Sequence, residues 1–93
     1  MVVMVLERVT PGLRGELTRW LIQPKAGVFV GRVSALVRDK LWRKVIFSVG
    51  DGGALMIYRS NTEQGFEIRS FGRTDRLIED FEGVFLPKWP RKP

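Results

Sequence analysis

The chain has 93 residues, which is room for one compact domain with a single core and too few for two. Lys and Arg number 16 against 10 Asp and Glu, for a net charge of +6, and there is no His and no Cys. A Ser-His-Asp triad, a thiol nucleophile, a Cys/His zinc site and any disulfide are therefore excluded, and the surplus positive charge points toward a polyanionic partner. Hydrophobic residues make up 44% of the chain, so the charge is expected on a folded domain and not on a disordered basic tail.

Val2, Val3, Met4, Val5 and Leu6 form an apolar run rich in β-branched residues, as in a central strand covered on both faces. The run is far shorter than the ~20 residues of a membrane span, and it lacks the basic flank of a leader, so a soluble, cytoplasmic protein is expected. Glu7 and Arg8 stand at its carboxyl end. Thr10-Pro11 signals a helix start, with Thr10 as cap and Pro11 pre-set for the first turn. Leu13, Leu17, Trp20 and Leu21 then make an apolar stripe, and Pro24 is expected to end the helix.

The segment from Ala26 to Val33 is extended, with Val28 and Val30 on one face and Phe29 on the other. Gly31 makes it either one bent strand or two short ones. Ser34 is the next cap, followed by Val37, Leu41 and Val45 at intervals of four, with Asp39 and Arg43 spaced for an outward ion pair. Trp20 and Trp42 both fall on helix faces as core or rim residues. Gly50-Asp51-Gly52-Gly53 is a turn; Ala54 to Arg59 and Phe66 to Phe71 are strands, the latter pointing Phe66 and Ile68 one way and Glu67 and Arg69 the other. A short strand is expected at Val84 to Leu86, before an extended tail.

This order calls for an α+β sandwich of ferredoxin-like βαββαβ form, provided the Ala26 to Val33 segment splits into two strands. Residues 1–82 would be the domain, and 83–93 a C-terminal strand and partner-docking tail. Both helices would cover one face of the sheet, and a homodimer packed sheet on sheet would cover the other.

Three pieces of the sequence carry a family resemblance: Pro11-Gly12-Leu13-Arg14-Gly15, then Ala26-Gly27-Val28-Phe29-Val30-Gly31 with Val33-Ser34, then Asn61-Thr62-Glu63-Gln64-Gly65-Phe66-Glu67-Ile68 leading to Phe71-Gly72. In order and spacing they resemble the small CRISPR-associated protein of the spacer-adaptation complex (CRISPR-associated protein two), in its type I-E branch. The resemblance implies a homodimeric scaffold that sits between two dimers of the CRISPR integrase, holds a captured DNA duplex and serves spacer acquisition. It implies duplex contacts at Arg14, at the opening of the first helix, and at Arg73 and Arg76, after the Phe71-Gly72 strand. Two positions depart from the branch's pattern, since Gly12 and Asp75 stand where further basic residues occur. Arg8 is an additional candidate near the expected dimer axis.

Arg supplies 11 of the 16 cations, which suits forked contacts to phosphate. Arg38, Lys40, Arg43 and Lys44 form a second basic cluster, read first as a solvated helix face and second as an extension of the DNA platform. In Val84, Phe85, Leu86 and Trp89 the tail offers a strand edge and an aromatic anchor for a partner, or a segment that folds back on its own dimer. Many relatives outside the branch carry Asp at the end of the first strand, where two copies can hold Mg²⁺ for phosphodiester hydrolysis. Glu7 occupies that position here, so it is the candidate catalytic residue and metal ligand of a rival reading as a Mg²⁺-dependent endonuclease. Its carboxylate could instead pair with Arg8 or Arg14, and Glu63 and Asp51 could join it only from loops. The scaffold reading requires no cofactor.

Overall fold

A computed structural model of the chain describes residues 1–50 and 52–73. Arg76, Val84, Phe85, Leu86, Trp89, Asp51 and the expected division at 82/83 lie outside these residues. The elements are β1 (Val2–Leu6), α1 (Pro11–Thr18), β2 (Ile22–Lys25), β3 (Val28–Gly31), α2 (Ala35–Ser48), β4 (Ala54–Arg59) and β5 (Phe66–Phe71). The strands form one antiparallel sheet in the order β2-β3-β1-β4-β5. Its first four strands have the order expected of the βαββαβ sandwich, and β5 extends the sheet beyond β4. No helix among the described residues is long and apolar enough to cross a membrane.

Alternation along β1 divides its side chains between two environments. Val2, Met4 and Leu6 point toward the helices, where Met4 lies between Phe29 of β3 and Met56 of β4, and Val2 stands opposite Tyr58. Leu13 and Leu17 of α1, Leu21, and Leu41, Trp42, Val45 and Val49 of the α2 region close over this row. Trp42 is thus a core residue, as expected. On the opposite face Val3 and Val5 are half-buried beside Val28, Val30 and Ile57, and the strip runs outward to Ile68 and to Ile22, which is 74% exposed. Coverage of β1 on both faces therefore does not hold within the described residues.

Three further expectations are corrected. First, α1 ends at Thr18 and not at Pro24. The Thr18 hydroxyl turns back to the Arg14 carbonyl at 2.7 Å, and the N–H groups of Trp20 and Leu21 both bond the Leu17 carbonyl. Trp20 thereby leaves the apolar stripe and is 52% exposed. Second, the fourth sandwich strand does not come from splitting Ala26 to Val33 at Gly31. It comes from Ile22–Lys25, which hairpins onto β3 through Gly27 at φ 80. Pro24 is tolerated because β2 is an outer strand, where a missing N–H leaves no ladder bond unmade.

Third, Asp39 does not pair with Arg43. Its Oδ1 accepts from Arg38 Nε at 3.0 Å and from Arg69 Nη1 at 3.2 Å. β5 delivers Arg69 from 30 residues further along the chain, which helical spacing cannot reveal. Both guanidiniums lie against Tyr58, at 4.0 and 5.1 Å from its ring centroid, and the Tyr58 hydroxyl donates to Glu67 at 2.7 Å while accepting from Arg69 Nε at 3.1 Å. The network ties the outer strand β5 to α2 across β4.

Hydrogen bonding from Arg38, partly opposed by burial and reinforced by the charges of Arg38 and Arg69, holds the Asp39 carboxyl below its ordinary value of 3.8. The unfolded chain therefore binds this proton more readily than the native one. The Asp39 contribution to stability is present above the ordinary value and is lost as pH falls through the lowered one. In urea titrations the native chain should lose stability more steeply below about pH 4.5 than the Asp39→Asn variant, by roughly 0.5–1 kcal/mol for a pair open to solvent. By contrast Phe29→Ala, in the middle of the core, should cost about 3–5 kcal/mol at neutral pH in the same titration.

Candidate nucleic-acid interface

The carboxyl end of β1 gathers segments from across the sequence. The Leu6 N–H bonds the Gly27 carbonyl at 2.8 Å, and the Glu7 N–H bonds the Gly53 carbonyl at 2.9 Å. These bonds draw the β2-β3 turn and the start of β4 against the strand end. Glu7 Oε1 in turn accepts the Gly53 N–H at 3.3 Å. A Cβ on Gly52 would stand 3.3 Å from Arg8 Cβ and Cγ, and one on Gly72 would stand 2.6 Å from the Gly52 carbonyl oxygen. Arg8, the Gly52-Gly53 turn and the end of β5 are thus stacked tightly, and at Gly72, where the clash would be with backbone, glycine is required.

The first helix opens at the same end. Thr10 Oγ1 accepts the Leu13 N–H at 3.1 Å, Pro11 begins the first turn, and no acidic residue occupies that turn to offset the positive end of the helix dipole. One turn in, Arg14 faces a cleft of about 430 Å³ whose walls include Leu6, Glu7, Pro11, Gln23 and Gly27. β2 runs parallel to β1 with β3 between them, so Lys25 also finishes here. Arg8, Arg14, Lys25 and Arg73 are all exposed, and none joins a salt bridge among the described residues.

Three of the four described or undescribed DNA candidates from the sequence, Arg8, Arg14 and Arg73, therefore share one end of the sheet. Lys25 and Gln23 were missed, since Gln23 falls in the stretch assigned to the end of the first helix and Lys25 in the gap before the extended segment at Ala26. Pro24 followed by Ala26-Gly27 is the signal that reveals them once it is taken as an outer strand entering a hairpin. The second basic cluster divides: Arg38 belongs to the Asp39 and Tyr58 network, Lys44 lies 3.9 Å from Glu16, and Lys40 and Arg43 project into solvent from α2. Arg19, Arg32 and Arg59 lie toward the opposite end of the sheet. Neither charge alone nor a helix opening distinguishes the two ends, since Ser34 caps α2 at the opposite end with no acidic residue in its first turn; the clefts do, Arg14 lining one and Glu63 and Glu67 the other.

The donor set around Glu7 is poor for Mg²⁺ within one chain. Among the described residues no group of three or more His, Cys, Asp or Glu side chains converges. Glu63 belongs to the β4-β5 loop, beyond Arg59, at the other end of the sheet, so it cannot join Glu7 in the same chain as the sequence allowed. Among the described residues a hard cation that favours several carboxylate and water oxygens would meet at this end the Glu7 carboxylate alone, already accepting the Gly53 N–H.

Four exposed cations thus stand at the end of the sheet where α1 opens, and comparison with known families adds a family to this small antiparallel α+β sandwich. The family model for CRISPR-associated protein (Cas_Cas2CT1978) matches residues 1–86, and the chain belongs to that family.

The tight stacking at this end can be tested without any ligand. Gly72 has φ 76, and an added Cβ would collide with backbone, not with a side chain that could swing away. Gly72→Ala should destabilise the fold by roughly 1–3 kcal/mol in urea titrations, because both the backbone strain and the collision must be relieved by moving the Arg73 turn. Gly12→Ala has open space around it and should be close to neutral.

Proposed function

We propose that the protein is a ferredoxin-like, homodimeric DNA-binding subunit of CRISPR adaptation, holding a captured duplex between integrase dimers during spacer acquisition. The observation that carries this reading is the convergence of Arg8, Arg14, Lys25 and Arg73 on one end of the sheet around the Arg14 cleft, where α1 opens with no acidic residue in its first turn. Membership of a CRISPR-associated family supports it from a separate direction. Guanidinium and ammonium groups spaced along a surface meet phosphates without reading bases, which suits a protein that must hold duplexes of any sequence.

The half-buried apolar strip on the sheet, exposed at Ile22 and Ile68, supports dimerisation. Val3, Val5, Val28, Val30, Ile57, Ile68 and Ile22 make one apolar surface that a second copy would cover, sheet on sheet. The dimer would double the charge of +6 and carry two basic ends. Arg76 would extend the contact after Arg73, and Val84, Phe85, Leu86 and Trp89 would dock on the integrase. In this reading Glu7 orders the Gly53 turn through its hydrogen bond, and it has no catalytic step to perform.

Duplex binding by the protein assembled with its integrase should weaken linearly in log-log form as salt rises. Arg14→Ala and Arg73→Ala, each removing one contact from both protomers of the dimer, should each lower the magnitude of that slope by about 2, without changing which sequences bind. Unchanged slopes in both variants would remove the basic end from the proposal. Glu7→Gln should leave spacer acquisition at the native level; lost acquisition with assembly intact would favour Mg²⁺-dependent cleavage instead. Deletion of residues 85–93 should abolish integrase co-purification while the dimer still forms.

A further inference from the structure

The helix layer carries a feature that neither the core nor the basic end uses. Phe47 is 92% exposed, the least covered large apolar side chain among the described residues, and Leu36 on the same helix is 65% exposed. Leu36, Lys40, Arg43 and Phe47 follow one another along α2 at spacings of four, three and four. They therefore form a single line on the helix, on the side away from buried Leu41 and Val45. The line spans three turns, about 16 Å, with an apolar residue at each end and two exposed cations between. Lys44 stands at its margin, loosely engaged with Glu16 at 3.9 Å.

We infer that this outer line of α2 is a docking surface for an acidic amphipathic helix of a partner protein. The charge dictates the partner's chemistry: Lys40 and Arg43 enter no salt bridge among the described residues, so carboxylates placed between two apolar anchors would complement the line along its whole length. A phosphate backbone would satisfy the two cations and leave Leu36 and Phe47 facing water, which is why a protein helix fits better than a nucleic acid. The surface is separate from the apolar sheet face, since α2 packs on the opposite side of the sheet. Its Leu36 end stands at the opposite end of the sheet from Arg8 and Arg73, while its Phe47 end lies toward the Gly52 turn.

The test uses the full-length chain and a labelled synthetic helical peptide, with leucines three turns apart and glutamates between them, followed by fluorescence anisotropy. Saturable binding is expected. It should weaken about tenfold or more in Phe47→Ser, in Leu36→Ser and in the Lys40→Glu, Arg43→Glu pair, and it should fall with rising salt. All these positions are exposed, and circular dichroism should show native secondary structure in each variant. Equal binding by native and variant chains overturns the inference. So does a loss of dimer mass in sedimentation of Phe47→Ser, which would make a second copy the occupant. A charge-reversed pair that loses duplex affinity, while Phe47→Ser retains peptide affinity, would assign the line to nucleic acid and overturn it as well.

Discussion

Met4 stands in the middle strand of the sheet with Phe29 on one side and Met56 on the other, and the register of the whole molecule depends on that row. A slip of β1 by one residue against its neighbours would send Val3 and Val5 under the helices and Met4 to the open face, because side chains alternate strictly along a strand. The fit of Leu13, Leu17, Leu41, Trp42 and Val45 over the row is what penalises such a slip. Once the register is set, the strand must end at Leu6, and the next two residues, Glu7 and Arg8, are delivered to the rim of the sheet beside the turns of Gly27 and Gly53. The basic end is a consequence of core packing that never touches it.

The same constraint sorts the cations into different kinds. Arg38 and Arg69 are held flat against Tyr58 and share Asp39, so their charge is largely spent inside the molecule as a brace between β5 and α2. Arg8, Arg14, Lys25 and Arg73 are held by backbone geometry instead, with their charged ends in solvent, which is the state needed to meet phosphate. Lys40 and Arg43 belong to neither group. A net charge of +6 is thus a sum over a structural network, a rim and a helix face, and only the fold separates them.

Much of the fold was legible because its signals are local. Thr10 and Ser34 cap the helices as their neighbours require, with side-chain oxygens accepting the Leu13 and Val37 N–H groups. The β1, β4 and β5 strands fall where alternation and apolar runs place them. The segment from Trp20 to Lys25 was misassigned for an equally local reason: Trp20 and Leu21 continue the helical spacing of Leu13 and Leu17, and nothing nearby announces that Thr18 will turn back on Arg14. That error hid β2, and with it Lys25 and Gln23. It also placed the break in the wrong glycine, since Gly27 adopts the positive φ of the hairpin and Gly31 does not.

By itself the sequence determined the chemistry available to this protein: many guanidiniums, no imidazole, no thiol, one carboxylate at the end of the first strand, and motifs that pointed to a CRISPR-associated family, which the match over residues 1–86 bears out. Helix starts and strand faces were also determined there, because capping and alternation act over four residues or fewer. The tertiary structure alone decided partnership. Asp39 chose Arg69 over Arg43, Glu63 was carried to the far end from Glu7, and Phe47 and Leu36 were left uncovered on either side of two cations. Those outcomes depend on contacts between segments tens of residues apart, and the spacing of residues along a chain carries no record of which distant surface will be brought against it.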